Sequence, residues 1–147
     1  MPLATESPRP TPAVSCALIK EDQLLMVRRR NPPNAGRLAL PGGRVEAGEP
    51  LAVAAERELL EETGVQGISV GPFTAIDVID RDEAGRLRFH YVLVVMEMRW
   101  SSGEPVAADD ALDACWMDLA ALRAAREEVC STALAVACRL LGAGNQR

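Results

Sequence analysis

Residues 43–65 read GRVEAGEPLAVAAERELLEETGV and hold the strongest structural signal in the chain. Good helix formers fill residues 50–63, and a proline such as Pro50 is tolerated at the first position of a helix. Gly64 follows at the position where glycine commonly ends a helix. The segment therefore predicts a helix that is preceded by a glycine-containing loop.

Three glutamates share one face of this helix, because Glu58, Glu61 and Glu62 are spaced i, i+3 and i+4. Such a charge run is usually a solvated helix face. Here Leu51 and Ala54 continue the same stripe, so the acidic side chains should point into the protein. Buried carboxylates need a cation, and Mg²⁺ held by a few carboxylates, water and substrate phosphate meets that need.

The other sides of the helix carry Val53, Leu59 and Leu60, so the helix lacks a broad polar face. We therefore expect neighbouring elements to cover it on several sides. Arg57 offers a second cation near the glutamates, because its forked guanidinium can pair with one carboxylate and hold it in place.

Gly42 and Gly43 precede this helix and let the backbone approach a ligand closely. Their carbonyl oxygens are available to a metal ion, and their amides are available to a phosphate group. A plain turn is the alternative interpretation of the same two residues.

Together these residues resemble the Nudix box, the signature of the Nudix hydrolase family. At average residue usage, the seven non-aliphatic positions would match by chance roughly once in 10⁸ windows, so the motif is specific. The resemblance implies the Nudix fold, an α/β (α+β) fold with a mixed β-sheet sandwiched between α-helices. The chain matches every fixed position of the box: Gly43, Glu49, Arg57, Glu58, Leu59, Glu61, Glu62, Gly64 and Val65.

The resemblance also implies the metal ligands. Glu58, Glu61 and Glu62 would bind Mg²⁺, for which Mn²⁺ can substitute, together with a backbone carbonyl from the turn at Gly42. Glu61 and Glu62 would also take part in the chemical step.

Further roles follow from the same resemblance. Arg57 would orient a glutamate, and Glu49 would support the loop or take part in an outer metal site. Either Glu62 or the pair Asp109 and Asp110 would accept the proton of the attacking water. Asp109 and Asp110 lie in a loop before a strand that carries a tryptophan, a place where the family often has an acidic residue. A solvated acidic loop is the alternative interpretation.

The charge of the chain limits its ligands. It has 16 basic and 21 acidic residues and a formal net charge of -5, so no global positive field would hold nucleic acid or an anionic membrane. An anionic substrate then needs local positive charge. Arg28 and Arg44 are the candidates, and the amide of Gly43 can contact phosphate. Ordinary surface arginines are the alternative.

Hydrophobic patterning outside the box predicts a mixed sheet between helices. Residues 87–100 form the longest strand candidate and are apolar on both faces, so other elements should pack on each side of the sheet. Residues 119–141 are expected to be helical, in a segment that can break at Ser131 and Thr132. The remaining strands are expected at residues 13–19, 24–29, 38–40, 68–79 and 114–117.

A length of 147 residues suits one domain, so we expect a flexible tail at residues 1–12 and a single Nudix domain at residues 13–147. Four cysteines without a CxxC pair indicate buried free thiols in a reducing cytoplasm. No apolar run in the sequence approaches the length needed to span a bilayer. Because dimers are common in the family, a homodimer is one expectation for the assembly.

The resemblance implies a hydrolase that cleaves the pyrophosphate bond of a nucleoside diphosphate linked to another moiety, with ADP-ribose or a related nucleotide sugar as first candidate substrate. ADP-ribose members often carry a proline at a set distance after the box, whereas Pro72 comes too early and Pro105 too late. The alternatives are nucleoside triphosphates such as oxidised dNTPs, dinucleoside polyphosphates, a non-catalytic nucleotide sensor, and an isoprenoid diphosphate isomerase. The complete set of box glutamates argues against the sensor.

Overall fold

The structure is a computed structural model, and it describes residues 9–32, 34–106 and 111–144. Each predicted strand is present, and the glycine loop before the helix forms a short additional strand. Within the described ranges the elements are β1 (Thr11–Lys20), β2 (Gln23–Arg29), β3 (Leu38–Ala39), β4 (Gly42–Arg44), α1 (Leu51–Thr63), β5 (Gln66–Arg81), β6 (Leu87–Ser102), β7 (Ala111–Met117), α2 (Leu119–Ala124) and α3 (Ser131–Gly144).

The strands form one mixed sheet in the order β3-β2-β1-β6-β5, with β4 paired to β1 and β7 paired to β2. β1 and β6 run parallel, whereas the other pairs are antiparallel. β1 lies inside the sheet, and its residues Val14, Cys16, Ala17 and Leu18 are fully buried. A strand that is apolar on both faces is buried in this way when a layer packs on each side.

Helices cover both faces of the sheet. α1 packs on one face, where Ala54, Ala55 and Leu59 belong to a buried cluster with alternate residues of β1. α2 and α3 lie against the other face, where Leu122 and Ala137 belong to a second buried cluster. The predicted fold class, a mixed β-sheet between α-helices, is confirmed.

The expected tail at residues 1–12 overlaps β1 at its last two residues, and residues 1–8 lie outside the described ranges. Thr11 and Pro12 belong to β1, because they pair with Tyr91 and Val92 in the parallel ladder to β6. Proline and threonine in a polar segment gave no sign of this pairing, which depends on a strand far along the chain.

α1 follows Pro50 and ends at Gly64, whose φ of 74° is left-handed and whose amide donates to the carbonyl of Leu60. The expectation that α1 is covered on several sides is wrong. Val53 and Leu60 are 50% and 46% exposed, because α1 packs against one face of the sheet. Leu59 is the side chain that anchors α1 in the core, with no exposed surface.

The helical segment predicted at residues 119–141 is two helices, and the break falls before Ser131. Asp118 caps α2 by accepting a hydrogen bond from the amide of Ala121 at 2.8 Å. Between α2 and α3 the backbone leaves the helix to form a bridge from Val129 to Leu38 of β3. Tertiary pairing with β3 therefore sets the position of the break.

The four cysteines are free thiols, as expected, although Cys138 is exposed whereas Cys16 and Cys130 are buried. None of the helices within the described ranges has the length and apolar character that a bilayer crossing requires.

Candidate active site

A cleft with a volume of about 750 Å³ opens between the last turns of α1, the β5–β6 hairpin and the start of α3. Glu58, Glu61 and Glu62 of α1 and Gly42 and Gly43 of β4 line one part of it. We call these five residues the acidic wall. The structure thus brings the predicted metal ligands and the predicted glycine turn together in one cleft.

Glu62 is the most deeply buried member of the acidic wall, with 6% of its surface exposed. The amide of Gly42 donates a hydrogen bond to Oε2 of Glu62 at 3.1 Å. This contact uses the amide of Gly42, and the predicted role of its carbonyl as a metal ligand stays a prediction. The short β4 strand therefore holds the Glu62 carboxylate in place beside the cleft.

Glu58 lies directly against Gly43. A Cβ at position 43 would overlap the carboxylate of Glu58, so only glycine leaves room for it. Burial raises the pKa of Glu58 above its ordinary value, although the hydrogen bond and charge of Arg57 oppose this shift. A partly buried carboxylate that is costly to ionise is one that a further cation would stabilise.

Arg57 is the cation that holds this part of the helix together. Its Nε and Nη2 donate to the two oxygens of Glu49 at 2.6 and 2.9 Å. Its Nη1 donates to Oε1 of Glu58 at 3.0 Å and to Oε2 of Glu61 at 3.2 Å. The hydrogen bond from Arg57 is the main cause that lowers the pKa of Glu49 to about 2. Arg57 thus donates hydrogen bonds to three carboxylates and lies 3.8 Å from a fourth, that of Glu46, where the sequence predicted one partner.

The donor set of the acidic wall fits a divalent metal. Three carboxylates supply hard oxygen atoms of the kind that Mg²⁺ and Mn²⁺ take, and all three line one cleft. Within the described part of the chain, no group of three or more histidine, cysteine, aspartate or glutamate side chains is arranged to hold a metal ion. Glu58 and Glu61 instead contact the Arg57 guanidinium, at 3.0 and 3.2 Å.

The predicted substrate-binding arginines have different positions. Arg44 lines the cleft, and its carbonyl accepts a hydrogen bond from Arg57. Arg28 does not line the cleft, because its guanidinium contacts the carbonyl of Gly36 at 2.8 Å and Glu128 at 3.3 Å. Its neighbour Arg29 lines the cleft instead. Consecutive residues of a strand point to opposite faces, so the prediction of Arg28 in place of Arg29 selected a side chain on the wrong face of the sheet.

Asp109 and Asp110 lie outside the residues that the structure describes, so their predicted role stays a prediction. The described part of the same loop runs beside the end of α1, where the amide of Val106 donates to the carbonyl of Thr63 at 2.8 Å.

Another part of the cleft is lined by Val78, Tyr91 and Leu93 of the β5–β6 hairpin, which we call the apolar wall. This wall was not identified from the sequence. Both faces of β6 are apolar, so alternation along the strand could not tell which residues face a ligand. Further lining residues that the sequence did not identify are Ser15, Asn31, Pro32, Asn34, Cys130, Thr132 and Ala133.

Solved structures share this architecture. One is a bifunctional NMN adenylyltransferase/ADP ribose pyrophosphatase from Francisella tularensis, complexed with AMP and a Mn ion. It is 28% identical, with a TM-score of 0.70, over 95% of this chain and 43% of that chain. The fold that the sheet, α1 and α3 define is therefore that of Nudix proteins.

A family model described as the NUDIX domain matches residues 9–134. The chain belongs to the Nudix family. An ADP-ribose pyrophosphatase of Methanocaldococcus jannaschii is 36% identical over 110 residues, which span 75% of this chain but only 63% of that relative. A Mycobacterium tuberculosis protein with the provisional name 8-oxo-dGTP diphosphatase 2 is also 36% identical over 110 residues, 74% of each chain.

Proposed function

We propose that this chain is a divalent-metal-dependent pyrophosphohydrolase whose substrate is a nucleoside diphosphate linked to another moiety. ADP-ribose or a related nucleotide sugar is the first candidate substrate. One observation carries the proposal: three carboxylates of α1 line the same cleft as an apolar wall. The cleft volume of about 750 Å³ is within the range that encloses a ligand of this size. The acidic wall would hold the diphosphate with its metal, and the remaining cleft would hold the organic groups.

Glu58, Glu61 and Glu62, with a carbonyl of the Gly42 turn, would hold Mg²⁺, or Mn²⁺ in its place. When bound, the metal supplies charge neutralisation at the diphosphate and a more acidic water. The family relationship and the Mn ion bound in the Francisella tularensis structure support a divalent metal.

The reaction adds water to one phosphorus and breaks its bond to the bridging oxygen, so ADP-ribose would give AMP and ribose 5-phosphate. Glu62, held by the Gly42 amide, is a candidate to accept the proton of that water, and the pair Asp109 and Asp110 is the alternative. Arg57 would act as a positioning residue, because it fixes Glu58 and Glu61. The Gly43 amide and Arg44 would contact phosphate, and Glu49 would support Arg57.

A second candidate function is hydrolysis of nucleoside triphosphates such as oxidised dNTPs. It is favoured by the Mycobacterium tuberculosis relative, whose identity to this chain equals that of the ADP-ribose pyrophosphatase. The two functions differ in their products, since a triphosphate releases pyrophosphate and a nucleoside monophosphate.

The test is a substrate panel of ADP-ribose, other nucleotide sugars, dinucleoside polyphosphates and dNTPs, with Mg²⁺, with Mn²⁺ and with EDTA. Products are separated by ion-exchange chromatography. AMP with ribose 5-phosphate, formed only when metal is present, supports the first proposal, and pyrophosphate supports the second. Absence of hydrolysis across the panel contradicts both and favours a nucleotide sensor.

A cytoplasmic location and a homodimer are further parts of the proposal. The four free thiols agree with a reducing compartment. Light scattering on the purified chain tests the dimer, and a monomer at micromolar concentration would contradict it.

A further inference from the structure

Ser15 is a polar residue in the middle of a buried strand. Its neighbours Val14 and Cys16 point to the face that α1 covers, where both belong to the buried cluster. Because side chains alternate along a strand, the Ser15 hydroxyl points to the opposite face, and Ser15 lines the cleft there. Only 9% of the residue is exposed.

The Ser15 hydroxyl makes no hydrogen bond within the part of the chain that the structure describes. Ser69, by comparison, donates its hydroxyl to the carbonyl of Ala52 at 3.2 Å. Among the described residues, Nε1 of Trp116 is the only fully buried side-chain polar atom without a partner, so the Ser15 hydroxyl keeps some contact with the open cleft. A ligand atom in the cleft would supply the partner that Ser15 lacks.

The position of Ser15 in the sheet indicates which part of a ligand it meets. Ser15 pairs with Gly42 of β4 on one side and with Val95 of β6 on the other. β4 contributes to the acidic wall, and β6 contributes Tyr91 and Leu93 to the apolar wall. Ser15 therefore lies on the strand between the two walls, next to the place where a diphosphate would end and an organic group would begin.

The start of α3 adds hydrogen-bond donors to the same cleft. Thr132 and Ala133 belong to the first turn of α3 and line the cleft. Amide groups in the first turn of a helix have no acceptor within the helix. These amides and the Ser15 hydroxyl are hydrogen-bond donors, so they suit a group that carries acceptors. Because the acidic wall with its metal takes the diphosphate in the proposed function, the acceptors left for these donors are those of a ribose or a base.

We infer that Ser15 is a specificity-determining residue, whose hydroxyl forms a hydrogen bond with the nucleoside part of the substrate. The inference rests on the proposed function, since it takes the diphosphate to lie at the acidic wall. Ser15 contacts neither the metal nor the reacting phosphorus in this arrangement, so it contributes to affinity for the nucleoside.

The test compares the wild-type chain with Ser15→Ala in calorimetric titrations with AMP, ribose 5-phosphate and inorganic phosphate in the presence of Mg²⁺. We expect AMP to bind the variant roughly 3- to 10-fold more weakly, which is the usual effect of losing one neutral hydrogen bond. Inorganic phosphate should bind both proteins equally. If ribose 5-phosphate is weakened as much as AMP, the contact is to the ribose, and if only AMP is weakened, it is to the base.

A stability measurement separates this role from a structural one. Because the hydroxyl has no partner in the protein, Ser15→Ala should leave the urea midpoint of unfolding unchanged or raised. Ser69→Ala is the matched control, since it deletes a hydroxyl that does have a partner. It should lower the midpoint and leave AMP affinity unchanged. The nearly isosteric Ser15→Cys repeats the test without a change of volume.

Equal affinity of wild type and Ser15→Ala for AMP would overturn the inference, and so would equal weakening of AMP and inorganic phosphate or a wild type that binds no AMP. Failure of the proposed function is a different result. In that case AMP affinity depends on Ser15, but no nucleoside diphosphate compound is hydrolysed by the wild type.

Discussion

Arg57 and Glu49 form a bidentate ion pair, in which Nε of Arg57 donates to Oε2 of Glu49 at 2.6 Å and Nη2 donates to Oε1 at 2.9 Å. The pair joins the loop before α1 to the middle of α1. Since Nη1 of the same guanidinium also donates to Glu58 and Glu61, the position of two acidic-wall residues depends on this pair. A planar fork with five donors can make these contacts together, whereas a lysine ammonium cannot.

Arg57→Lys should therefore lower kcat/KM for the identified substrate by about 10- to 100-fold, as is typical when a residue that orients metal ligands is replaced. Steady-state kinetics at several Mg²⁺ concentrations measure this effect. Arg99→Lys is the control, because Arg99 makes a more exposed ion pair with Glu97 on β6. Wild-type kinetics for Arg57→Lys would contradict the positioning role.

The pKa of Glu49 is about 2, compared with an ordinary value of 4.5. The contribution of the Arg57–Glu49 ion pair to the free energy of unfolding therefore depends on pH. A carboxyl whose pKa is lower in the folded state stabilises the fold above the unfolded pKa, and this contribution is lost as the pH falls through the folded pKa. Glu49→Gln should thus be less stable than wild type at pH 7. The difference should shrink between pH 4.5 and pH 2.

Urea unfolding at a series of pH values checks this, with Glu83→Gln in the exposed β5–β6 turn as control. A difference between Glu49→Gln and wild type that stays constant as the pH falls would show that the ion pair is not its source.

Gly43→Ala should displace Glu58, because the added Cβ would overlap the Glu58 carboxylate. The carboxylate is the end of a flexible side chain, so the fold should survive while the acidic wall is disturbed. We expect kcat to fall about 100-fold, as misplacement of a reacting group by an ångström can cause. Gly142→Ala in α3 is the matched control, since its Cβ would meet Leu119 at an ordinary 3.7 Å. Equal activity of the two variants would refute the steric argument.

Leu59 and Leu60 are neighbours on α1 with opposite environments, the first without exposed surface and the second 46% exposed. Leu59→Ala should lower the free energy of unfolding by about 2 to 5 kcal/mol, because it leaves a cavity under α1. Leu60→Ala should cost less than about 1 kcal/mol. Chemical denaturation measures both, and similar losses would mean that α1 is not anchored as the structure has it.

The acidic wall could be predicted from the sequence because its geometry is local. The spacing of Glu58, Glu61 and Glu62 on one helix fixes their common face, and Gly43 lies only a short loop away. Arg57 was also within reach of sequence reasoning, although the number of carboxylates it contacts was not. Side-chain positions along one helix turn need no knowledge of the remaining fold.

The rest of the cleft could not be predicted, because pairing between distant strands creates it. Ser15 and Tyr91 share the cleft only because β1 pairs with β6 in one register. A change of one residue moves a side chain to the other face, as Arg28 and Arg29 demonstrate. The bridge between Val129 and Leu38, which divides α2 from α3, is likewise a tertiary contact.

Glu62→Gln tests most directly whether the α1 glutamates bind the divalent metal that hydrolysis would need. Glu56→Gln is its control. Glu56 lies on the same helix outside the cleft, where its Oε2 accepts a hydrogen bond from the amide of Ser69. Mn²⁺ titration by calorimetry and turnover of the identified substrate are measured for both. Glu62→Gln should bind Mn²⁺ more weakly and lose roughly 100-fold or more of kcat with its fold intact, while Glu56→Gln keeps both. Wild-type metal affinity and turnover in Glu62→Gln would contradict the account.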